Sequence, residues 1–214
     1  MNKGFLVELQ DAVLKFDKNE AAAVARKVLE QQINPVECAE AIADALRVIG
    51  EKYSKGEAFI PELFLASKAA NAALALIIAE IGRQGKNLRS LGRVVIGTVF
   101  GDIHSIGKDI VATLLFAEGF EVIDLGVNVK SDQFLAAVQE RKPDILALSA
   151  LLTTTAMEQR NVIEGLKRAN VRQQVKVLVG GSPINQEFAD RIGADGYAAT
   201  GPEGVKVARH LVGR

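Results

Sequence analysis

The chain has 214 residues, 49 % of them hydrophobic, which is enough for one large domain or two small ones with a substantial core. Its 26 acidic and 26 basic residues cancel, so the charge predicts neither nucleic acid nor an anionic membrane as a partner. Cys38 is the single cysteine, which excludes an internal disulfide, and we interpret it as a buried helix residue without a function. We expect a cytoplasmic protein with no amino-terminal leader and no apolar run long enough to cross a bilayer.

Residues 1–85 are predicted to contain helices and no strands. Apolar residues recur at helical spacing over residues 4–16, 18–32, 35–53 and from 61 to Gly82 or Gly85. Asp17 and the pair Asn34-Pro35 are typical helix-start signals. The pattern therefore predicts an all-α four-helix bundle as the first domain, and the polar, glycine-bounded residues 86–92 are predicted to be a linker.

From residue 93 onward, strand and helix patterns alternate. We predict strands at 93–99, 120–125, 144–149, 175–179 and 195–199, and helices near 106–118, 131–141, 156–170, 185–192 and 202–212. This alternation predicts an α/β domain over 93–214, with a flavodoxin-like, five-stranded parallel sheet. Right-handed crossovers bring the loops 100–105, 150–155 and 180–184 to one edge of such a sheet.

The first of these loops carries a carboxylate and an imidazole two residues apart, Asp102 and His104. Three interpretations stay open from this pair alone. His104 can ligate a metal while its other ring nitrogen donates to Asp102. The pair can act as a general base with an orienting acid, or form a structural hydrogen-bonded turn.

No second histidine, cysteine or carboxylate stands at metal-ligand spacing from His104. His210, the other histidine, is predicted to be a surface residue of the last helix. Because a zinc site needs three or four protein ligands, a metal at His104 would have to bring its own equatorial ligands.

The other two loops are rich in hydroxyls and glycines. Hydroxyl side chains follow the third strand at Ser149, Thr153, Thr154 and Thr155. They can bind a ligand or extend the hydrogen-bond chain of Asp102, and Thr154 or Thr155 can instead cap the next helix. Gly180-Gly181 follows the fourth strand, where glycines allow a tight turn or the close approach of a ligand to the main chain. Together the loops predict a long slot at this edge of the sheet.

These residues resemble a known family. The segment 101–107 (Gly-Asp-Ile-His-Ser-Ile-Gly), the segment 149–153 (Ser-Ala-Leu-Leu-Thr) and Gly180-Gly181 are similar, in order and spacing, to the signature of cobalamin-binding domains that hold the corrinoid with a histidine on cobalt. The segment 49–63 is similar to the helical cap of corrinoid proteins in methyltransferase systems, a cap shared with methionine synthase. The resemblance covers nearly the whole chain.

The resemblance implies cobalamin or a related corrinoid as the cofactor. It implies that His104 is the lower cobalt ligand, with Asp102 and then Thr155 continuing its hydrogen-bond chain. The other residues that it implies at the cofactor are Gly101, Ser105, Ile106, Gly107, Ser149, Leu151, Thr153, Gly180 and Gly181, together with Phe59, Ile60 and Leu63 of the cap. For the three cap residues, the core of the helical bundle is the other interpretation.

The function implied is methyl carriage. A chain of this size has no room for catalytic domains, so the resemblance implies a non-catalytic subunit. Such a subunit accepts a methyl group from a substrate:corrinoid methyltransferase and passes it to a corrinoid:acceptor methyltransferase, and a reductive activating protein is a further candidate partner. No nucleic acid and no membrane is expected as a partner.

Three other functions are weighed against methyl carriage. A cobalamin-sensing regulatory protein would need a basic DNA-binding segment. The small subunit of an adenosylcobalamin mutase need not carry the helical domain. A cofactor-free signalling domain would need an acidic cluster at the strand ends, and Asp102 alone does not form one.

Overall fold

A computed structural model describes residues 2–86, 88 and 90–213. The chain divides into two compact units: Met1–Arg89 with Phe116–Gly119, and Ser90–Leu115 with Phe120–Arg214. Within the predicted linker, Asn87 and Arg89 lie outside the described residues.

The first unit is built from four helices in its described part: α1 (Asn2–Leu14), α2 (Lys18–Glu30), α3 (Pro35–Ser54) and α4 (Ile60–Arg83). Asp17 caps α2 by accepting hydrogen bonds from the backbone N–H groups of Asn19 and Glu20 at 2.8 and 3.0 Å. Asn34 caps α3 in the same way through the N–H of Val36, at 3.3 Å. The prediction of an all-α domain ahead of the sheet is confirmed.

Helix α4 corrects one expectation from the sequence. It is long and apolar enough, by length and composition, to cross a membrane. Its buried residues lie in the core of the helical unit, and a core helix meets the same criteria: Leu63, Ala66, Ser67, Ala69, Ala70, Ala73, Leu74, Ile77 and Ile81. The burial of this face accounts for part of the apolar composition of α4, since Ile60, Leu65 and Ile78 are exposed.

Cys38 lies in α3 with its side chain fully buried. Burial raises the pKa of its thiol to about 11, and the nearby carboxylate of Glu37 adds to the rise. We expect a thiol reagent at pH 8 to label the folded protein at least about 100-fold more slowly than the protein in guanidinium, because the thiolate is the reactive form. Equal labelling rates before and after unfolding would contradict the burial of Cys38.

The second unit is an α/β domain. Its strands are β1 (Arg93–Thr98), β2 (Glu121–Asp124), β3 (Ile145–Ser149), β4 (Lys176–Gly180) and β5 (Gly196–Ala198). Its helices are α5 (Ile106–Ala117), α6 (Ser131–Arg141), α7 (Thr153–Arg168), α8 (Gln186–Ile192) and α9 (Gly201–Leu211), with a short 3-10 turn at Arg172–Gln174. The described strands are parallel in the order β2-β1-β3-β4-β5, which confirms the flavodoxin-like prediction.

Two element boundaries differ from the sequence predictions in ways that matter for the site. Helix α7 begins at Thr153, three residues before the predicted start, so Thr153, Thr154 and Thr155 lie in its first turn. Strand β5 is shorter than predicted, at three residues. It is one of the two edge strands, with β2 at the other edge, and it pairs only with β4 among the described strands, so less of its length is fixed by pairing.

The sheet is covered on both faces. On one face, α6, α7 and α8 enclose an apolar core whose largest members include Phe134, Leu146, Ile163 and Leu166. On the other face α5 packs against α9 so closely that a Cβ on Gly201 would lie 3.0 Å from Ile110 Cγ2. Because both faces are buried, the ends of the strands are the part of the sheet left for a ligand.

The register of the sheet aligns the carboxyl ends of its central strands. Thr98 pairs with Ser149, Ser149 with Gly180, and Gly180 with Ala198. The loops that follow β1, β3 and β4 therefore begin next to one another at the same edge of the sheet.

Candidate corrinoid-binding site

Asp102 lies at the centre of the site, and its side chain is fully buried. Its Oδ1 accepts hydrogen bonds from the backbone N–H of His104 at 3.0 Å and from His104 Nδ1 at 2.7 Å. Its Oδ2 accepts from the N–H of Leu151 at 2.7 Å and from the Thr155 hydroxyl at 2.8 Å. One buried carboxylate thus joins the loop after β1 to the loop after β3.

The hydrogen bonds of Asp102 decide its protonation state. Burial raises the pKa of this carboxyl, but the N–H groups of His104 and Leu151, the Thr155 hydroxyl and the His104 ring together outweigh it. The net pKa of Asp102 is held well below its usual range. Asp102 is therefore ionised at neutral pH and acts only as an acceptor.

His104 is oriented by this carboxylate. Because ionised Asp102 can only accept, we assign the shared proton to Nδ1 of His104, which leaves a lone pair on Nε2 of the neutral ring. The side chain of His104 is 46 % exposed, whereas that of Asp102 is 0 % exposed. The pair therefore presents one imidazole nitrogen outward from a buried anionic support, an arrangement typical of metal-ligating histidines.

Thr155 is the hydroxyl that the resemblance implies behind Asp102. Its single hydroxyl proton lies within reach of Asp102 Oδ2 at 2.8 Å and of the Leu152 carbonyl at 3.0 Å, and the ionised carboxylate is the stronger acceptor. We expect Thr155→Val to lower the free energy of unfolding by about 1.5 kcal/mol, because the shape is kept and the donor is lost. The measurement is guanidinium unfolding of the apoprotein, with Thr155→Ser as the control that keeps the hydroxyl. Equal losses in the two variants would show that the hydroxyl does not hold Asp102.

The remaining residues of the first motif lie around this pair. Gly101 has a left-handed backbone with φ of 77°, which favours glycine at the turn out of β1. Ser105 Oγ donates to Asp109 Oδ2 at 3.1 Å and so supports the start of α5. Ile106 is exposed, and the position that a Cβ would take on Gly107 has no atom within 4 Å. The first turn of α5 therefore presents open surface at this edge.

The residues predicted after β3 divide into two groups. Leu151 donates its N–H to Asp102 and has an exposed side chain, and Thr155 is buried against the same carboxylate. Ser149 lies at the end of β3 and Thr153 at the start of α7. The structure brings Leu151 and Thr155 to Asp102, and the contribution of Ser149 and Thr153 stays a prediction.

Gly180 and Gly181 end β4 beside Ser149. A Cβ on Gly181, whose φ is 131°, would overlap the carbonyl oxygen of Ala150, and a Cβ on Gly180 would lie 3.0 Å from the carbonyl oxygen of Ala198. Main chain therefore approaches main chain here, and a side chain at either position would push against a backbone carbonyl.

The three residues predicted on the helical unit have different environments there. Phe59 and Ile60 are 67 % and 54 % exposed, at the start of α4. Leu63 is 2 % exposed and belongs to the core of the helical unit, the other interpretation left open for it. Phe59 donates its N–H to Glu62 Oε2 at 2.7 Å, so Glu62 has a local capping role.

Sequence reasoning missed three residues that support the site. Asn128, after β2, holds the loop of Asp102 by two hydrogen bonds. Lys108, almost fully buried in α5, pairs with Asp109 at 2.7 Å and with Asp124. Gln159, fully buried in α7, donates Nε2 to the carbonyls of Leu148 and Gly180 at 3.1 and 3.0 Å. Gly126 and Asn128 both have a left-handed backbone in the loop after β2. Glycine and asparagine are typical of such turns, so their presence could have drawn attention to this loop, whereas nothing comparable marked Lys108 or Gln159.

The donor set fits a corrinoid. Within residues 2–86, 88 and 90–213, no group of three or more His, Cys, Asp or Glu side chains is placed to hold a bare metal ion. A single outward imidazole nitrogen on a buried carboxylate suits a metal whose equatorial ligands come from a macrocycle, as they do in a corrinoid. The fold and the site thus define a corrinoid-binding protein.

Comparison with known proteins gives the family. The family profile described as B12 binding domain matches residues 92–206, and a second profile with the same description matches residues 6–78. The chain belongs to the B12 binding domain family, and its cofactor is cobalamin or a related corrinoid.

Curated relatives match the chain along nearly its full length. Trimethylamine corrinoid protein 1 of Methanosarcina acetivorans is 42 % identical over 97 % of this chain and 96 % of its own length. The dimethylamine corrinoid protein of Methanosarcina barkeri is 39 % identical over 97 % of both chains. Among solved structures, the methanol:cobalamin methyltransferase complex MtaBC of Methanosarcina barkeri matches with a TM-score of 0.80 and 26 % identity, over 98 % of this chain and 80 % of that one.

Proposed function

We propose that the chain is the methyl-carrying corrinoid subunit of a methylamine methyltransferase system. The observation that carries the proposal is the outward Nε2 of His104 on the buried carboxylate of Asp102, within a chain that matches methylamine corrinoid proteins over 97 % of its length. When bound, the corrinoid supplies a cobalt centre that accepts a methyl group from one partner and gives it to the next.

The residues of the chain have defined tasks in this proposal. His104 Nε2 binds cobalt, and Asp102 keeps the proton on Nδ1 so that Nε2 is available. Leu151 and Thr155 hold Asp102 in its ionised form. Gly180 and Gly181 allow the main chain to pack closely at the strand ends, and we assign the remainder of the cofactor to that edge of the sheet. Phe59 and Ile60, exposed on the helical unit, are the apolar residues proposed to shield the corrinoid from water.

The partners belong to the proposal as well. A substrate:corrinoid methyltransferase would load the methyl group and a corrinoid:acceptor methyltransferase would remove it, with a reductive activating protein as a third partner. We propose a cytoplasmic location, which suits the free thiol of Cys38. The two relatives named for trimethylamine and dimethylamine favour a methylamine as the methyl donor.

The first test is cofactor binding by wild type and His104→Ala. Apoprotein is mixed with hydroxocobalamin, freed of excess cofactor by gel filtration, and its visible spectrum is recorded. Wild type should retain stoichiometric cofactor with a histidine-ligated spectrum, and the variant should lose that spectrum or the cofactor. The matched control is His210→Ala, since His210 is the other histidine and lies exposed in α9. Identical spectra for wild type and His104→Ala would refute the ligand assignment.

The second test addresses methyl carriage. Holoprotein reduced to its lowest cobalt state is incubated with trimethylamine, dimethylamine or methanol and the methyltransferase dedicated to that donor, and methylation of the corrinoid is followed by its absorbance. Methylation from a methylamine and not from methanol supports the proposal. Methylation from none of these donors, by holoprotein with a normal spectrum, would contradict it.

A further inference from the structure

The loop after β2 reaches across to the loop that carries Asp102 and His104. Asn128, in this loop, donates its backbone N–H to the carbonyl of Asp102 at 2.9 Å. Its side-chain Oδ1 accepts the N–H of Gly101 at 2.8 Å. One residue therefore binds two consecutive residues of the histidine-bearing loop, once through its main chain and once through its side chain.

The other supports of that loop come from β1 and from the β3 side. The Thr98 hydroxyl donates to the His104 carbonyl at 2.9 Å, and the Asp102 N–H donates to the Val99 carbonyl at 3.2 Å. The Leu151 N–H holds the Asp102 carboxylate from the side of β3. Because β1 lies between β2 and β3 in the sheet, Asn128 holds the loop from the flank opposite to Leu151.

We propose that Asn128 is a positioning residue for the cobalt ligand. By fixing the backbone of Gly101 and Asp102, Asn128 increases the fraction of the holoprotein in which His104 would be bound to cobalt. The inference rests on the role proposed above for His104. A loop that is already ordered loses little conformational freedom when its histidine binds, whereas a loose loop loses more, which weakens the bond. Groups that orient a metal-ligating histidine commonly control its affinity in this way.

The backbone of Asn128 explains the choice of residue. Its φ is 56°, in the left-handed region that glycine, asparagine and aspartate tolerate best. Asparagine combines this tolerance with the Oδ1 acceptor for Gly101. Replacement by glycine keeps the backbone conformation accessible and removes the acceptor, whereas replacement by aspartate keeps both.

The main test measures axial coordination. Wild type, Asn128→Gly and Asn128→Asp are loaded with hydroxocobalamin and reduced to the cobalt(II) state, and electron paramagnetic resonance gives the fraction of cobalt with nitrogen splitting from an axial histidine. We expect the bound-to-free ratio to fall about fivefold in Asn128→Gly, as for the loss of one hydrogen bond, and to stay within twofold of wild type in Asn128→Asp. The matched control is Asn170→Gly, since Asn170 has a similar φ of 57° outside the site, in the turn after α7.

A second measurement uses the apoprotein and does not depend on the cofactor. Amide hydrogen exchange at His104, whose N–H is bonded to Asp102 Oδ1, should be faster by a similar factor in Asn128→Gly and unchanged in Asn170→Gly. A purely structural role would lower thermal stability in Asn128→Gly without changing the axial nitrogen signal, and that result would overturn the inference. If wild type itself shows no histidine nitrogen, the ligand role of His104 fails and the inference fails with it.

Discussion

Replacing Asp102 with asparagine is expected to lower the free energy of unfolding of the apoprotein by about 3 kcal/mol at pH 7. The carboxylate is fully buried and accepts hydrogen bonds from N–H and O–H donors of His104, Leu151 and Thr155. Asparagine offers one acceptor oxygen, and its NH2 group would face donors that it cannot bind. Guanidinium unfolding measures the loss. The control is Asp190→Asn, an exposed position where about 0.5 kcal/mol or less is expected.

The difference between wild type and Asp102→Asn should depend on pH in a defined direction. The folded-state pKa of Asp102 lies below its unfolded value, so the ionised carboxylate stabilises the folded state above the unfolded pKa. That stabilisation is lost as the pH falls through the folded pKa. We expect the difference in free energy of unfolding to be constant above about pH 5 and to shrink below about pH 4.

Unfolding measured at pH 7, 5, 4 and 3 for both proteins checks this profile. A difference that grows as the pH falls would mean that Asp102 is protonated in the folded protein. Such a result would also remove the reason for assigning the shared proton to His104 Nδ1. The same variant loaded with hydroxocobalamin should lose part of its histidine-ligated spectrum, because the ring is no longer held in one tautomer.

The sequence was sufficient to predict the architecture because its patterns are local. Short β-branched runs alternate with helical spacing from Arg93 onward, and this alternation allows few topologies. The observed strand order is the one predicted. Likewise the cap residues Asp17 and Asn34 act at the predicted helix starts, since capping depends only on neighbours in the chain.

The supports of the site could not be predicted in this way, because they depend on contacts between distant segments. Asn128 contacts Gly101 across 27 positions, and Thr155 contacts Asp102 across 53. No spacing rule connects such pairs. The shared sheet edge made Thr155 one of four hydroxyls that could extend the hydrogen-bond chain of Asp102, and the resemblance singled it out. The predicted start of α7 is too late because Thr154 and Thr155 are interpreted as possible caps, whereas the N-cap is Leu152 and both threonines lie inside the first turn.

Leu63 illustrates a further limit of sequence reasoning. An apolar residue at the start of α4 fits equally well in a bundle core or against a cofactor, and the one-dimensional pattern does not distinguish these roles. The structure separates Leu63, which is buried in the helical unit, from Phe59 and Ile60, which are exposed. Only the latter two have side chains available for a ligand.

Replacing Gly181 with alanine is expected to have the second large effect. The new Cβ would overlap the Ala150 carbonyl, and φ of 131° is a conformation that alanine rarely adopts. We expect a loss of about 3 kcal/mol or more in the free energy of unfolding, together with loss of hydroxocobalamin retention. The overlap is with the carbonyl of Ala150, which belongs to the same peptide group as the Leu151 N–H, so the hydrogen bond from Leu151 to Asp102 should be disturbed as well.

Gly126→Ala is the control that introduces an unfavourable backbone conformation without a steric overlap. Gly126 also has a positive φ, of 84°, but its Cβ would meet no atom within 4 Å, so a loss of about 1 to 2 kcal/mol with normal cofactor retention is expected. Gly180→Ala covers the case in which Gly181→Ala fails to fold, because its Cβ meets only the Ala198 carbonyl at 3.0 Å and Gly180 has no positive φ. Gly180→Ala should fold and retain less cobalamin than wild type. Full retention of cobalamin by both Gly180→Ala and Gly181→Ala would show that the strand ends do not border the cofactor. The proposed cofactor site would then rest on His104 and Asp102.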